Sequence, residues 1–338
     1  MPKADYNYHL PEELIAQIPS SPRDSSKLMV IDRKTGTASH RIFRDLPDIL
    51  LSSDVLVFND TKVFPARLRG YKSTGGKVEV LLLKNTIKNL WEVISHPGLK
   101  VGQNLLLGDR LQAVVISPDL IELKTSNPND SVSDLIYQAG STPLPPYIHS
   151  TAPENKLRRQ YQTVYAKFEG SAAAPTAGLH FTKDLIERLL NLKFQLEYLT
   201  LHVGLGTFKP PTPDQIAAGA LHSESFTLES DVADRLNQAK SQGRRIVAVG
   251  TTTTRVLETL SNETGHLNSG SGTTNIFIKP QYKFKFVDGL ITNFHLPESS
   301  LLMLVSAFAS PKIIEGAYKD AIKNRYRFYS FGDATLII

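Results

Sequence analysis

Four histidines, His180, His202, His222 and His295, stand in or beside polar, glycine-rich segments at the ends of strand-like runs. Imidazole titrates near neutral pH, so these residues point first to general acid-base work. None is paired at the HxH or HExxH spacing that preorganises a metal site, so no metal ligand is expected. The chain has no cysteine, which removes disulfides, thiolate zinc sites, iron-sulfur clusters and cysteine nucleophiles. His222 and Glu224 lie two residues apart, so in a strand they share one face, and Glu224 is a candidate to orient an imidazole. Glu298 offers His295 a similar neighbour.

Further segments add polar groups. Around 59–67, an Asx-turn joining two strands is the structural reading. The functional reading puts Asp60 and Arg67 at a cleft between a main and an inserted domain. The run 170–182 has almost no bulk and is expected not to fill a core. There Pro175, Thr176 and Gly178 let backbone approach a ligand, and the helix starting near Lys183 presents free N–H groups to an anion; a flexible linker is the alternative. Gly204 and Gly206 lack the third glycine of a dinucleotide fingerprint, and a tight turn explains them equally well. The run 250–255 sits in a β-turn-α unit, where Thr251 and Thr252 offer hydroxyls to ribose or carboxylate oxygens and Arg255 an ion-pair partner; helix capping would also use threonines. Asn293 ends a strand before a helix. Alternating aromatics over 326–334 read as a strand, more often core than base-stacking platform, with Arg327 and Asp333 at its edges.

These groups need a scaffold. At 338 residues the chain has room for about two domains. With 41% hydrophobic and 21% charged residues it is an ordinary globular composition. The longest apolar run, 301–305, is far short of the ~18 residues of a membrane span. The first residues carry Asp5, Glu12 and Glu13 without a continuous apolar stretch, unlike a secretory signal; a cytoplasmic address and no membrane partner are expected. The 38 basic and 33 acidic residues give +5, the direction of a nucleic-acid partner. Lys156, Arg158, Arg159 and Lys167 cluster in mid-chain and Lys312, Lys319, Lys323, Arg325 and Arg327 near the C-terminus, where a solvated face is the alternative.

Between 66 and 125, short strand-like runs punctuated by Gly75-Gly76, Pro97-Gly98 and Gly108-Asp109 point to a small antiparallel barrel or sandwich. After the proline-rich stretch 143–147, helix and strand alternate. The expected fold is α/β: a mixed-sheet main domain from 1–65 and 146–338, with an antiparallel β-barrel inserted over 66–145. A hairpin is predicted over 28–42, a helix N-capped by Ser230, a buried strand over 245–249 and a mobile surface loop over 261–274.

The same segments resemble the S-adenosylmethionine:tRNA ribosyltransferase-isomerases of queuosine biosynthesis. The likeness rests on strings in order along nearly the whole chain: LPEELIAQ (10–17), FNDT (58–61), PLPPYI (143–148), YQTVYA (161–166), AAPTAGLHF (173–181), TLHVGLGTF (200–208), HSE (222–224), AVGTT (248–252), TNFHLP (292–297) and YRF (326–328). The resemblance implies transfer of the ribosyl part of S-adenosylmethionine onto 7-aminomethyl-7-deazaguanine at the wobble position of tRNA, giving epoxyqueuosine and releasing adenine and methionine. It implies no prosthetic group, with S-adenosylmethionine as co-substrate and tRNA as partner; a monomer is expected. Within this reading His180, His202, His222 or His295 is the base at C5′ or protonates departing adenine, with Glu224 or Glu298 orienting it. Pro175, Thr176, Gly178, Gly204, Gly206, Thr251, Thr252 and Arg255 face S-adenosylmethionine. Asp60, Arg67, Asn293 and Asp333 meet substrate polar groups, and Arg158, Arg159 and Arg327 meet phosphates. A non-catalytic tRNA-binding protein and a methyltransferase using S-adenosylmethionine are the competing readings.

Overall fold

The computed structural model describes residues 6–204, 206 and 213–338. Asp5, Leu205 and the stretch 207–212, which fall in or beside segments read above, lie outside the described residues. The chain opens with the hairpin β1 (Lys27–Ile31) and β2 (Ala38–Ile42), a short α1 (Leu46–Ile49), the central strand β3 (Val55–Asn59) and the three-residue β4 (Thr61–Val63). It then enters six strands, β5 (Arg67–Lys72), β6 (Lys77–Ile87), β7 (Leu90–His96), β8 (Asn104–Leu106), β9 (Leu111–Ser117) and β10 (Leu120–Thr125). These close into an antiparallel barrel in the order β10-β7-β6-β5-β8-β9. Alternation along β9 and β10 turns Leu111, Ala113, Val115, Ile121 and Leu123 inward. The helix α2 (Val132–Ala139) adds Leu135 and Ile136 to the same core.

The chain returns through α3 (Glu154–Gln160) and β11 (Phe168–Ser171), which pairs in parallel with β4 as a separate two-stranded ribbon. Then follow α4 (Lys183–Asn191), β12 (Gln195–Leu201), α5 (Pro213–Ala218), β13 (Ala220–Leu228), α6 (Ser230–Ser241), β14 (Ile246–Val249), α7 (Thr251–Leu260), β15 (Gly270–Ile276), β16 (Gly289–Asn293), α8 (Ser300–Ala309), α9 (Pro311–Lys323) and β17 (Ala334–Ile337). The main sheet is mixed, in the order β15-β13-β12-β3-β14-β16-β17-β1-β2. Its four middle strands β12, β3, β14 and β16 run parallel.

Layering follows from the period of two in those strands. In β3, Val55 and Val57 join one hydrophobic cluster while Leu56 and Phe58 join another. In β14, Ile246 and Ala248 face the first, Val247 and Val249 the second. Both faces are therefore covered, as a parallel sheet requires: α6, α7, α8 and α9 pack on one side and α4 on the other.

Four expectations are corrected. The small-residue run does fill a core: Ser171–Pro175 and Ala177–Phe181 are buried. Its residues are small because neighbours press close; a Cβ on Gly178 would lie 1.9 Å from the Tyr165 hydroxyl. The stretch 261–274 is not all loop, since β15 pairs with β13 as the edge of the main sheet. Residues 326–333 are not a strand; Tyr326, Phe328 and Phe331 are nevertheless core, as aromatics there were expected to be. Ser230 is the first residue of α6, and Glu229 occupies the cap position.

Candidate active site

The parallel strands converge their C-terminal ends, where open α/β sheets place ligands. Asn59, at the end of β3, ties three of those ends together. Its Oδ1 accepts from the backbone N–H of Leu201 at 3.0 Å and of Thr61 at 3.1 Å; its Nδ2 donates to Leu201 O at 3.0 Å and to Thr252 Oγ1 at 3.3 Å. The register of β3 against β12 thus fixes Thr61 beside His202, the first residue past β12.

A cleft of about 650 Å³ opens at the junction of barrel and main sheet. The barrel contributes Lys84, Asn85, Trp91 and Glu92, α2 contributes Ile136 and Tyr137, the ribbon Glu169 and Gly170, and the main sheet His202, Gly204, His222 and Glu224. His202 is held on two sides. Its Nδ1 lies 2.8 Å from Thr61 Oγ1. Gly170, at φ +150°, packs so closely that a Cβ there would come 2.9–3.0 Å from three ring atoms. With Nδ1 engaged, Nε2 is the nitrogen left for chemistry. Burial lowers the pKa of His202, which keeps the ring neutral at pH 7. His222 Nδ1 accepts from Gln215 Nε2 of α5 at 3.2 Å.

Glu224 is buried in the cleft wall, where an unpaired carboxylate is costly. It is ion-paired with the equally buried Arg255 and accepts from Gly204 N at 3.0 Å. Glu224 thus turns to Arg255 rather than to an imidazole, and Arg255 also donates to Thr274 O at 3.4 Å.

His180 and His295 do not line the cleft. His180 stacks on Phe43 with ring centroids 4.9 Å apart, its Nδ1 2.8 Å from Ser26 Oγ. Asn293 Nδ2 donates to its Nε2 at 3.2 Å, so the ring proton sits on Nδ1. Burial, with Arg327 and Arg23 adding to it, drives its pKa down to about 3. His295 Nε2 lies 3.0 Å from Thr292 Oγ1, and its carbonyl accepts from the Tyr8 hydroxyl at 2.5 Å. Burial alone lowers it to about 3. Glu298, exposed, is no partner of it.

The other candidates are dispersed. Asp60 is buried and accepts from Thr200 Oγ1 at 2.6 Å; burial raises its pKa against the opposing pull of that bond and of Lys167. Arg67 is ion-paired with Glu79 and donates to Leu144 O at 2.9 Å, bracing barrel to returning chain. Arg158 pairs with Glu154 at 3.0 Å and donates to Tyr137 O and Gly140 O, which joins α3 to the end of α2. Arg159 is exposed. Arg327 bonds Ser20 and Ile18 O and lies 3.6 Å from Asp333, which in turn accepts from the backbone N–H of Lys27 and Arg327. Pro175 and Gly178 are buried and Thr176 half-buried, in or next to the 3-10 turn Thr176–His180. Thr251 is buried at the first position of α7. Thr253 and Thr254 bond back to Val249 O and Gly250 O, so half of the threonine quartet serves the helix itself. Gly206 is exposed, near His222. Among the described residues, no group of three or more His, Asp or Glu is placed to hold a metal ion.

Sequence reasoning missed Thr61, Trp91, Tyr137 and Glu169. The position of Thr61 one residue after Asp60 was a signal; the barrel residues carried none, since their meeting with His202 depends on barrel closure.

Fold and cleft define a mixed α/β protein with a barrel inserted beside the C-terminal edge of its parallel strands. Residues 3–337 match the family described as queuosine biosynthesis protein. The S-adenosylmethionine:tRNA ribosyltransferase-isomerase of Desulfitobacterium hafniense is 49% identical over 340 residues, covering 99% of each chain. That of Caldanaerobacter subterraneus subsp. tengcongensis is 48% identical over 351 residues, covering both chains fully. A crystal structure of the S-adenosylmethionine tRNA ribosyltransferase of Thermotoga maritima is 36% identical, with TM-score 0.57, over 99% of this chain and 100% of that one. The chain belongs to this family of queuosine-biosynthesis ribosyltransferase-isomerases, and it is an enzyme of the transferase class.

Proposed function

We propose that the protein moves the ribosyl part of S-adenosylmethionine onto 7-aminomethyl-7-deazaguanine at the wobble position of tRNA and isomerises it, giving epoxyqueuosine-tRNA, adenine and methionine. The sulfonium acidifies the C5′ hydrogens of the nucleoside. A base removes one, adenine departs, and the resulting vinyl sulfonium is attacked by the aminomethyl nitrogen; ring rebuilding to the epoxycyclopentanediol expels methionine. S-adenosylmethionine is the co-substrate and no prosthetic group takes part. The enzyme acts as a cytoplasmic monomer, its inserted unit spanning 66–145.

One observation carries this reading on the chain itself: His202 and His222 open into one cleft, and the first is a half-buried imidazole whose pKa is lowered by desolvation. A neutral imidazole can take the C5′ proton. His202 is the proposed base, and His222 the proposed acid for departing adenine. The backbone at Gly204 and Gly206 approaches S-adenosylmethionine, while Trp91 of the barrel lies across the cleft where a base can stack. His180 and His295 take no part, each being a neutral core imidazole with a filled environment.

The test is incubation with labelled S-adenosylmethionine and tRNA carrying the deazaguanine precursor, followed by nucleoside analysis. Adenine and methionine in equal amounts with epoxyqueuosine support the reading. S-adenosylhomocysteine instead would mean methyl transfer, and no turnover with tight tRNA binding would mean a binding protein.

A further inference from the structure

A second depression, of about 610 Å³, opens beyond the C-terminal end of β16. Tyr8, Leu10 and Pro297 form its sides, Asn7 and His9 its exposed rim, and Tyr329 its floor. Tyr329 is only 6% exposed, yet among the described residues its hydroxyl makes no hydrogen bond. Burial raises its pKa, so the phenol stays protonated and keeps a proton to donate. Its backbone sits at φ +70°, a region that a bulky L-residue rarely adopts. That conformation is enforced from β16: Tyr329 N–H donates to Phe294 O at 3.1 Å, and Tyr329 O accepts from Asn293 Nδ2 at 3.1 Å and from Gly332 N–H at 2.9 Å. The Tyr147 ring packs on Tyr329 with centroids 4.9 Å apart. Tyr8 is pinned as well, its hydroxyl spent on His295 O and its ring edge-on to Tyr318 at 5.2 Å. Both rings are therefore fixed before any ligand arrives.

We propose that this depression is a second nucleobase subsite, in which Tyr8 and Tyr329 hold an unstacked base of the tRNA loop while the wobble nucleotide occupies the cleft. The inference rests on the function proposed above. Phenol rings and apolar sides suit a flat heteroaromatic ring, and a free hydroxyl, a carboxamide and an imidazole match the donors and acceptors of a base edge. No Lys, Arg, Asp or Glu is among the described residues that line the depression, and Glu298, next to Pro297, is exposed, so a phosphate or carboxylate finds no counter-charge there. The position also fits. β12, β3, β14 and β16 are successive neighbours in the sheet, which sets the ends of β12 and β16 about 14 Å apart, three strand spacings of ~4.8 Å. His202 follows the first of these ends and Pro297 the second, a span that neighbouring nucleotides of an opened loop bridge. The adenine of S-adenosylmethionine shares the same chemistry, so the two sources are separated by which substrate responds.

Binding of precursor tRNA to the full chain is measured over a range of salt, alongside steady-state turnover, for wild type, Tyr329→Phe and the double variant Asn7→Ala/His9→Ala. Tyr329→Phe removes one hydroxyl and is expected to raise Kd and KM for tRNA about five-fold, one hydrogen bond's worth. The double variant, confined to the exposed rim, is expected to do the same by about five- to ten-fold. KM for S-adenosylmethionine is expected to stay unmoved, as is the slope of log K against log salt, since no phosphate contact is lost. A rise confined to KM for S-adenosylmethionine would overturn the tRNA base as occupant and place adenine there instead. A flattened salt slope would mean that phosphate is held rather than a base. Unmoved constants for both substrates, with wild-type turnover intact, overturn the subsite alone. A wild type that releases no adenine with precursor tRNA overturns the function itself. Equal melting temperatures exclude misfolding.

Discussion

Thr61 Oγ1 stands 2.8 Å from His202 Nδ1, across the gap between β4 and the end of β12. The pair is made by strand register: Asn59, two residues before Thr61, clamps the backbone of Leu201, one residue before His202. Fixing one ring nitrogen decides what the other can do, because it selects the tautomer and the ring angle. Thr61→Val keeps the shape and removes the hydroxyl. It is expected to lower kcat about ten-fold with a small change in melting temperature, and Thr61→Ser to keep most of the activity; equal kcat in wild type and Thr61→Val would remove Thr61 from the positioning of the base.

With His202 as the proposed base, a pH dependence of turnover is expected. Burial lowers its folded-state pKa, so the deprotonated imidazole persists below the ordinary histidine range. As pH falls through that lowered pKa the ring takes up a proton and the base is lost. The acid limb of kcat/KM is therefore expected below pH 6.5. Gly170→Ala drives the ring away from the ribbon toward water, which weakens the desolvation. The limb is expected to move up in pH and kcat to fall; a profile superimposable on wild type would mean another group is being titrated.

The Glu224–Arg255 pair is a stability element in the cleft wall. Arg255→Met leaves a buried carboxylate unpaired and is expected to cost about 3–5 kcal/mol, whereas Glu224→Gln/Arg255→Met together lose much less. Urea unfolding of wild type, Arg255→Met, Glu224→Gln and the double variant measures this; a loss in the double variant equal to the sum of the two single losses would mean that the two side chains are not coupled.

His180 and His295 link folding to pH. Both have folded-state values of about 3 against 6.5 for an exposed histidine. Below pH 6.5 the unfolded chain binds protons that the folded chain refuses, so stability is full above that value and falls as pH drops toward 3. The slope reaches about 1.4 kcal/mol per pH unit for each ring. Asp60 and Asp333, whose pKa values are raised by burial, act in the opposite sense in the carboxylate range. Unfolding free energies between pH 7.5 and 5.5 are expected to fall; a flat line would mean that the rings are protonated in the fold.

The layered main sheet and the barrel were legible because each is written locally. Short strands split by Gly75-Gly76 and Pro97-Gly98 can only turn back on themselves, and helix–strand alternation after Tyr147 requires covered strands. The cleft was legible in part. His222 and His202 could be named, yet their sharing a wall depends on β13 pairing with β12, a contact between distant segments. Residues 172–181 misled because small side chains carry no outward sign of what presses on them; Tyr165 does. That His180 and His295 stand outside the cleft was illegible for a related reason, since a polar ring in a glycine-rich string looks the same whether or not its neighbours are Ser26, Asn293 and Thr292.

Adenine release from S-adenosylmethionine with precursor tRNA tests the role of His202 most directly, comparing wild type with His202→Gln and His180→Asn at matched folding. His202→Gln is expected to lose at least a hundred-fold in kcat while still binding both substrates, and His180→Asn to keep catalysis in proportion to the folded fraction. Full turnover by His202→Gln, or loss confined to folded His180→Asn, would contradict a base held by Thr61 at the junction of barrel and sheet.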